Sequence, residues 1–365
     1  MASLNNLTFA IDEHSSPVPA SERSRLIADP GFGKIFTDHM VVIRYDAEQG
    51  WHDARVKPRG PMQMDPACAV LHYAQEIFEG LKAYRTPEGG AALFRPEANA
   101  RRFRSSAERL AMAQLPEELF IESIKALVSI DRDWIPLGDG GSLYLRPFMF
   151  ASETFLGVKP SSEYLYIVIA SPAGAYFKGG APAVKLWVSD DYSRAGPGGT
   201  GAAKCGGNYA ASLLAQSQAI AEGCDQVVFL DVVEHRWIEE LGGMNVFFVF
   251  EDGSILTPPL GGTILPGVTR DSILTLARDA GIAVREEHYA IDQWQADARS
   301  GKLRESFACG TAAVLTPIGA VRGTSVDFTI GNGGPGLLTE QLRSQLVAIQ
   351  RMQSPDPHNW VHRLF

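Results

Sequence analysis

Apolar and polar positions change rhythm several times along the chain. From Thr37 to Arg44 the run Thr-Asp-His-Met-Val-Val-Ile-Arg is rich in β-branched residues and predicts a strand, followed by a turn around residues 46–50 and a second strand-like run. His72 to Tyr84 starts like a short helix and finishes like a strand, with residues 91–95 as its hairpin partner across Pro87-Glu-Gly-Gly90. Pro96 opens an amphipathic helix with Phe103, Ala107, Leu110 and Ala111 on one side and Arg101, Arg104 and Glu108 outward. A second helix follows over about 117–130. Ser142 to Phe150 then reads as a strand whose alternation puts Tyr144 and Arg146 on one face.

Tyr164 to Ala170 is a further apolar strand, and it ends in the Gly/Pro-rich passage 171–180, read here as the domain boundary. Val184 to Ser189 begins the second half. A helix over 209–222, stopped by Gly223, carries Leu213, Leu214, Ile220 and Ala221. Strands are expected at 226–230 and 245–250, with a hairpin arm at 237–241 between them in which Glu239 and Glu240 point to opposite faces. A helix over 270–280 is expected to take Thr269 as its N-cap and Gly281 as its stop.

A chain of 365 residues exceeds one ordinary core, and two domains are expected: residues 1–176 with an extended polar arm over 1–30, an interdomain loop at 177–184, and residues 185–365. Hydrophobic residues at 45% and charged residues at 21% describe a soluble globular chain. The net charge of −9 comes with no basic block, so neither nucleic acid nor membrane is expected as a partner. The four cysteines show no metal spacing and the eight histidines form no HxH or HExxH cluster, which argues against a metal site. Residues 1–12 lack the pattern of a signal peptide, and reduced thiols in a cytoplasm are the expectation.

The most informative stretch is Gly196-Pro-Gly-Gly-Thr-Gly-Ala-Ala-Lys-Cys-Gly-Gly-Asn-Tyr209. It sets one lysine, Lys204, among small residues with no carboxylate beside it in sequence. Glycine and alanine let a planar group approach the backbone, and an apolar setting favours the neutral amine that attacks a carbonyl. It is neither a P-loop, since Ala203 and Cys205 flank the lysine, nor a dinucleotide fingerprint, since Lys204 takes the third glycine position. A Schiff-base lysine is the chemistry that fits, and a flexible glycine loop carrying an incidental lysine is the alternative.

Lys204-Cys-Gly-Gly-Asn-Tyr209, Glu240-Leu-Gly-Gly-Met-Asn245, Leu265-Pro-Gly-Val-Thr-Arg270 and Gly310-Thr-Ala312 occur in an order and spacing that resembles the branched-chain aminotransferases. These are fold-type IV enzymes dependent on pyridoxal 5′-phosphate (PLP). Phe78-Glu-Gly-Leu-Lys82 and Tyr144-Leu-Arg146 are similar to the same family, and the resemblance runs from about Gly31 onward. It implies an α+β fold with a smaller N-terminal α/β domain, a larger C-terminal domain with a pseudo-barrel, and an active site between them. The implied reaction is reversible transfer of the amino group of L-leucine, L-isoleucine or L-valine to 2-oxoglutarate.

The resemblance also implies roles. Lys204 holds the cofactor aldehyde and afterwards shifts the proton. Glu240, rather than Glu239, keeps the ring nitrogen protonated; strand alternation alone leaves the two open. Arg102, the amides of Val268 and Thr269, and the Thr311 hydroxyl hold the phosphate, although from sequence alone a salt bridge is the better reading of Arg102. Tyr209 donates to the ring oxygen. Phe32, Tyr73, Tyr144, Arg146, Tyr176, Thr311 and Ala312 surround the substrate, and Tyr73, Tyr144 and Arg146 reach the neighbouring site of a homodimer.

Two departures from the family stand out. Gly243 replaces a threonine found near the substrate in some members, and Ala313-Val-Leu-Thr316 replaces the CxxC pair of some animal members. A D-amino-acid aminotransferase or an aminodeoxychorismate lyase of the same fold type would share Lys204 and Glu240 and differ in the substrate motifs.

Overall fold

The computed structural model describes residues 8–138, 140–174 and 183–365. The chain forms two compact units: residues 1–176, 203–206 and 350–365 make the first, and residues 177–202 and 207–349 the second. Two segments of the first unit are separate in sequence: the short run around Lys204, and the tail, where Val361–Arg363 pairs antiparallel with Ala91–Phe94.

The first unit is built on a nine-stranded sheet. Its order is Ala10–Ile11, Gly50–Pro58, His39–Asp46, Glu163–Ala173, Ser142–Ala151, Leu81–Arg85, Ala91–Phe94 and Val361–Arg363, with Glu76–Phe78 also on Ser142–Ala151. The helices Pro96–Arg109 and Glu117–Ile130 cover it. Their apolar stripes bury Phe103 and Phe120 against Tyr166 of the sheet, with ring centroids 5.4–6.2 Å apart. Each such ring contributes roughly 1.5–3 kcal/mol by leaving water. Arg95, in the left-handed region, turns the chain into Pro96 at the first helical position, as the proline led one to expect.

The second unit also has a nine-stranded sheet, of mixed direction. Its order is Ile238–Leu241, Gln226–Leu230, Val184–Ser189, Val314–Arg322, Leu303–Gly310, Asn245–Phe250, Ile255–Thr257 and Val284–Glu286, with Asp327–Thr329 on Val314–Arg322. Ile238–Leu241 stands at one end of that order, yet a tight turn closed by the Leu241 N–H on the Met244 carbonyl leads straight into Asn245–Phe250, near the other end. The sheet curls to allow it. Asn245–Phe250 is buried throughout, as its unbroken apolar run predicts.

Two expectations shift here. The helix at 209–222 instead spans Gly206–Ala221, and it buries its small face, Ala215 and Ala219, against Cys224, Val227 and Phe229. Leu213, Leu214 and Ile220 are all more than half exposed. The later helix spans Val268–Asp279, with Gly267 rather than Thr269 as its N-cap. Among the described residues no helix is long and apolar enough to cross a membrane.

Candidate active site

Lys204 belongs to the first unit and lies in irregular chain just before the helix Gly206–Ala221. Its backbone is held on both sides: the N–H donates to Ser106 Oγ at 2.9 Å, and the carbonyl accepts from the Phe78 N–H at 3.0 Å. The half-buried side chain carries Nζ to 4.7 Å from the centre of the Phe78 ring, within cation–π range. Arg146 shares that ring at 4.9 Å and donates from Nη2 to the Tyr144 hydroxyl at 3.1 Å. The Phe32 ring meets Tyr144 edge-on at 5.0 Å. Lys204 and Arg146 thus meet at Phe78, and Tyr144 and Phe32 continue the group from Arg146.

Lys204 and Arg146 share the Phe78 ring, and Arg146 also lies over the ring of Tyr144. The strand Ser142–Ala151 runs antiparallel to both Glu76–Phe78 and Leu81–Arg85, and this pairing fixes its inward face next to Phe78. Tyr73 is placed differently. It is 39% exposed and its hydroxyl donates to the Leu156 carbonyl. Tyr176 lies outside the described residues.

Behind Phe78, Glu79 is fully buried. It accepts from Arg102 Nε at 2.7 Å, Arg102 Nη2 at 2.8 Å and Asn99 Nδ2 at 2.7 Å. Burial alone would push this carboxyl up; Arg102 foremost, then Lys204 and Asn99, outweigh it and leave Glu79 below its ordinary value. One edge of the Arg102 guanidinium is thus in a salt bridge, but a buried one and not the surface pair that sequence alone suggested. The lysine also has a carboxylate for company, supplied by a residue far away in sequence.

In the second unit Glu239 and Glu240 are both buried, so neither is the solvated neighbour that alternation allowed. Glu240 Oε1 lies 2.6 Å from Arg194 Nη2 and accepts the Leu265 N–H at 2.8 Å. Asn245 Nδ2 reaches Glu240 Oε2 at 3.5 Å and the Leu265 carbonyl at 3.0 Å. Glu239 Oε1 instead accepts from Thr263 Oγ1 at 2.5 Å, and burial pushes this carboxyl up. Charge at this site belongs to Glu240, where a buried cation matches it.

Asn245 also links the carboxylate to the helix Val268–Asp279. A methyl group on Gly267 would fall 2.1 Å from Asn245 Oδ1, so the N-cap must be glycine for the helix to start there. No side chain among the described residues caps that helix, and Thr269 is buried in its first turn. Asn245 pairs in register with Cys309, which sets the turn holding Thr311 and Ala312 at the same end of the sheet, with Gly310 against Met244. The Gly243 position faces the Tyr209 ring, 3.6 Å away. Two residues that matter here escaped the sequence: Arg194, whose carboxylate partner Glu240 is remote in sequence, and Asn245, noticed only as part of a motif.

The family model for class IV amino-transferases matches residues 76–321, a span that contains Lys204, Glu240, the Gly267 helix start and the Thr311 turn. The chain belongs to the class IV aminotransferases. It is 56% identical over 98% of its length to the branched-chain-amino-acid aminotransferase of Mycolicibacterium smegmatis, covering 98% of that protein. Among solved structures it resembles the Escherichia coli branched-chain amino acid aminotransferase, with a TM-score of 0.72 and 27% identity over 90% of this chain and 99% of that one. The branched-chain amino acid aminotransferase of Thermobaculum terrenum, solved in its PLP form, shares the fold with a TM-score of 0.71 and 24% identity over 89% and 98%. The α+β, fold-type IV expectation is thereby met.

Class IV aminotransferases depend on PLP, and the residues present fit it. A helix start without a side-chain cap suits a dianionic phosphate. A buried carboxylate paired with arginine suits a protonated ring nitrogen. A lysine held by its backbone over an aromatic ring suits an aldehyde.

Proposed function

We propose that this class IV aminotransferase acts on branched-chain L-amino acids with 2-oxoglutarate as amino acceptor and PLP as cofactor. The observation that carries the reading is the chain of contacts from Lys204 and Arg146, which share the Phe78 ring, through Tyr144 to Phe32, supported by the names of its relatives. Bound PLP supplies an aldehyde that accepts an amino group and a ring that withdraws electrons. Lys204 holds it and moves the proton at the substrate α-carbon. Glu240 keeps a positive ring nitrogen company. Val268 and Thr269 offer amides to the phosphate, Thr311 and Arg102 add a hydroxyl and a cation, and Tyr209 donates to the ring oxygen.

Phe32 and Tyr144 give an aliphatic side chain an apolar wall, and Arg146, whose buried Nε has no hydrogen-bond partner among the described residues, answers the second carboxylate of glutamate. Ala312 and Thr311 take the substrate α-carboxylate. Nothing in the comparisons favours a D-amino-acid aminotransferase or an aminodeoxychorismate lyase. A homodimer in the cytoplasm belongs to the same proposal. Leu71, Tyr73, Leu156 and Val158 leave apolar surface exposed on the first unit, with Tyr73 bonded to Leu156, and four buried, unpaired cysteines suit a reducing compartment.

The test is spectroscopic. Purified protein with PLP is expected to show a visible band that bleaches on addition of L-leucine and returns with 2-oxoglutarate. Bleaching by D-alanine but not L-leucine would remove the substrate assignment and leave the cofactor in place. A second expectation concerns Gly80, where a methyl group would fall 2.2 Å from the Tyr144 hydroxyl. Gly80→Ala should displace Tyr144 and lower kcat/KM for leucine by about 10–100-fold while the cofactor band remains, measured by steady-state kinetics beside the spectrum.

A further inference from the structure

Arg194 is 6% exposed and sits ten residues before the lysine. Its Nη2 faces three acceptors: Glu240 Oε1 at 2.6 Å, the Gly201 carbonyl at 2.8 Å and the Thr263 carbonyl at 2.5 Å. Gly201 opens the lysine loop, and Thr263 precedes the Leu265-Pro-Gly267 approach to the uncapped helix. Glycine is needed at 201, since a methyl there would fall 2.3 Å from the same Thr263 carbonyl. One buried cation therefore ties the carboxylate to the two loops on either side of it. Glu239 also feels the charge of Arg194, but its contact is the Thr263 hydroxyl, so the direct ion pair goes to Glu240.

We propose that Arg194 is a positioning residue: through its contact with Oε1 it keeps the Glu240 carboxylate charged and turned for the ring nitrogen of the cofactor. This rests on the reading of Glu240 given above. A carboxylate taken out of water without a cation would take up a proton, and a neutral acid would no longer favour a protonated ring. All three contacts come from the one nitrogen Nη2, so lysine at 194 would keep the charge and its donors but carry them on a flexible stem.

The test compares PLP with the analogue in which the ring nitrogen is replaced by CH, binding each to full-length protein stripped of cofactor and following tryptophan fluorescence. The wild-type protein should prefer PLP by about tenfold or more, the worth of a charged hydrogen bond. Arg194→Met should cut that preference by roughly fivefold or more, and Arg194→Lys should keep most of it. Equal weakening of both ligands by Arg194→Met would mean a merely structural role and overturn the proposal. Glu240→Gln separates the two readings. If it leaves the preference intact, Glu240 is not the nitrogen's partner and both fall; if it erases the preference while Arg194→Met does not, only the arginine's role falls. Should Arg194→Met fail to fold, judged by far-UV circular dichroism, Arg194→Gln is read by the same criteria.

Discussion

Lys204→Ala is expected to end catalytic turnover, with a loss of at least about 10⁴-fold and no leucine-responsive visible band, because no second amine stands over the Phe78 ring among the described residues. The informative control is Lys82. Burial, then the nearby Arg351, push its amine down to about 7, and on reactivity alone it would be the more obvious nucleophile. Lys82 pairs in register with Tyr144, while Arg351 spans to the Gly141 carbonyl and the Tyr84 ring. Lys82→Met should therefore keep the band. Multiple turnovers in Lys204→Ala, or loss of the band only in Lys82→Met, would move the chemistry away from the glycine-rich loop and sink the proposed function.

Glu79→Ala should be the most destabilising single change near the site. It leaves the Arg102 guanidinium, itself 8% exposed, without the carboxylate that holds two of its nitrogens, and it strips Asn99 of an acceptor. Removing one partner of a buried ion pair costs about 3–5 kcal/mol. The measurement is the first transition in urea, read by circular dichroism. Glu79→Ala/Arg102→Met should recover much of the loss, since no orphaned charge remains. A Glu79→Ala protein as stable as the parent would show that water or another group reaches Arg102 easily, and the buried ion pair would not be what stabilises this region.

Local pattern was enough for many elements. Glu117–Ile130, Val184–Ser189, Gln226–Leu230 and Asn245–Phe250 fall where periodicity and flanking turn residues put them. Helix starts were harder to read. Thr269 looked like a cap because threonine usually is one, but the cap at Gly267 depends on Asn245 lying against it, a contact 22 positions away in sequence. The outward Leu213 and Leu214 were hidden for a related reason: a helix that packs through alanines shows its large residues to the other side.

The site was legible in its chemistry and much less so in its supports. Lys204 among glycines announces itself, whereas Arg194 in Tyr-Ser-Arg-Ala-Gly has no local mark, and Glu79 could be named only as a motif letter until Arg102 and Asn99 came to it from the next helix. Nor could alternation choose between Glu239 and Glu240, since both faces of that strand are covered. That Arg146 comes to lie by Phe78 is a matter of strand register, and register is set by partners, not by the strand itself.

The outermost strand of the first sheet, Val361–Arg363, comes from beyond the whole of the second unit. On a ribosome the amino-terminal half thus emerges with Ala91–Phe94 still an open edge, and it stays so until roughly 270 further residues have been made. The first sheet therefore gains its last edge strand only after the second unit has been made. Newly made chains should depend on holdase-type chaperones over that interval, and a nascent chain halted after the second unit should be far more protease-sensitive in its first half than the released protein.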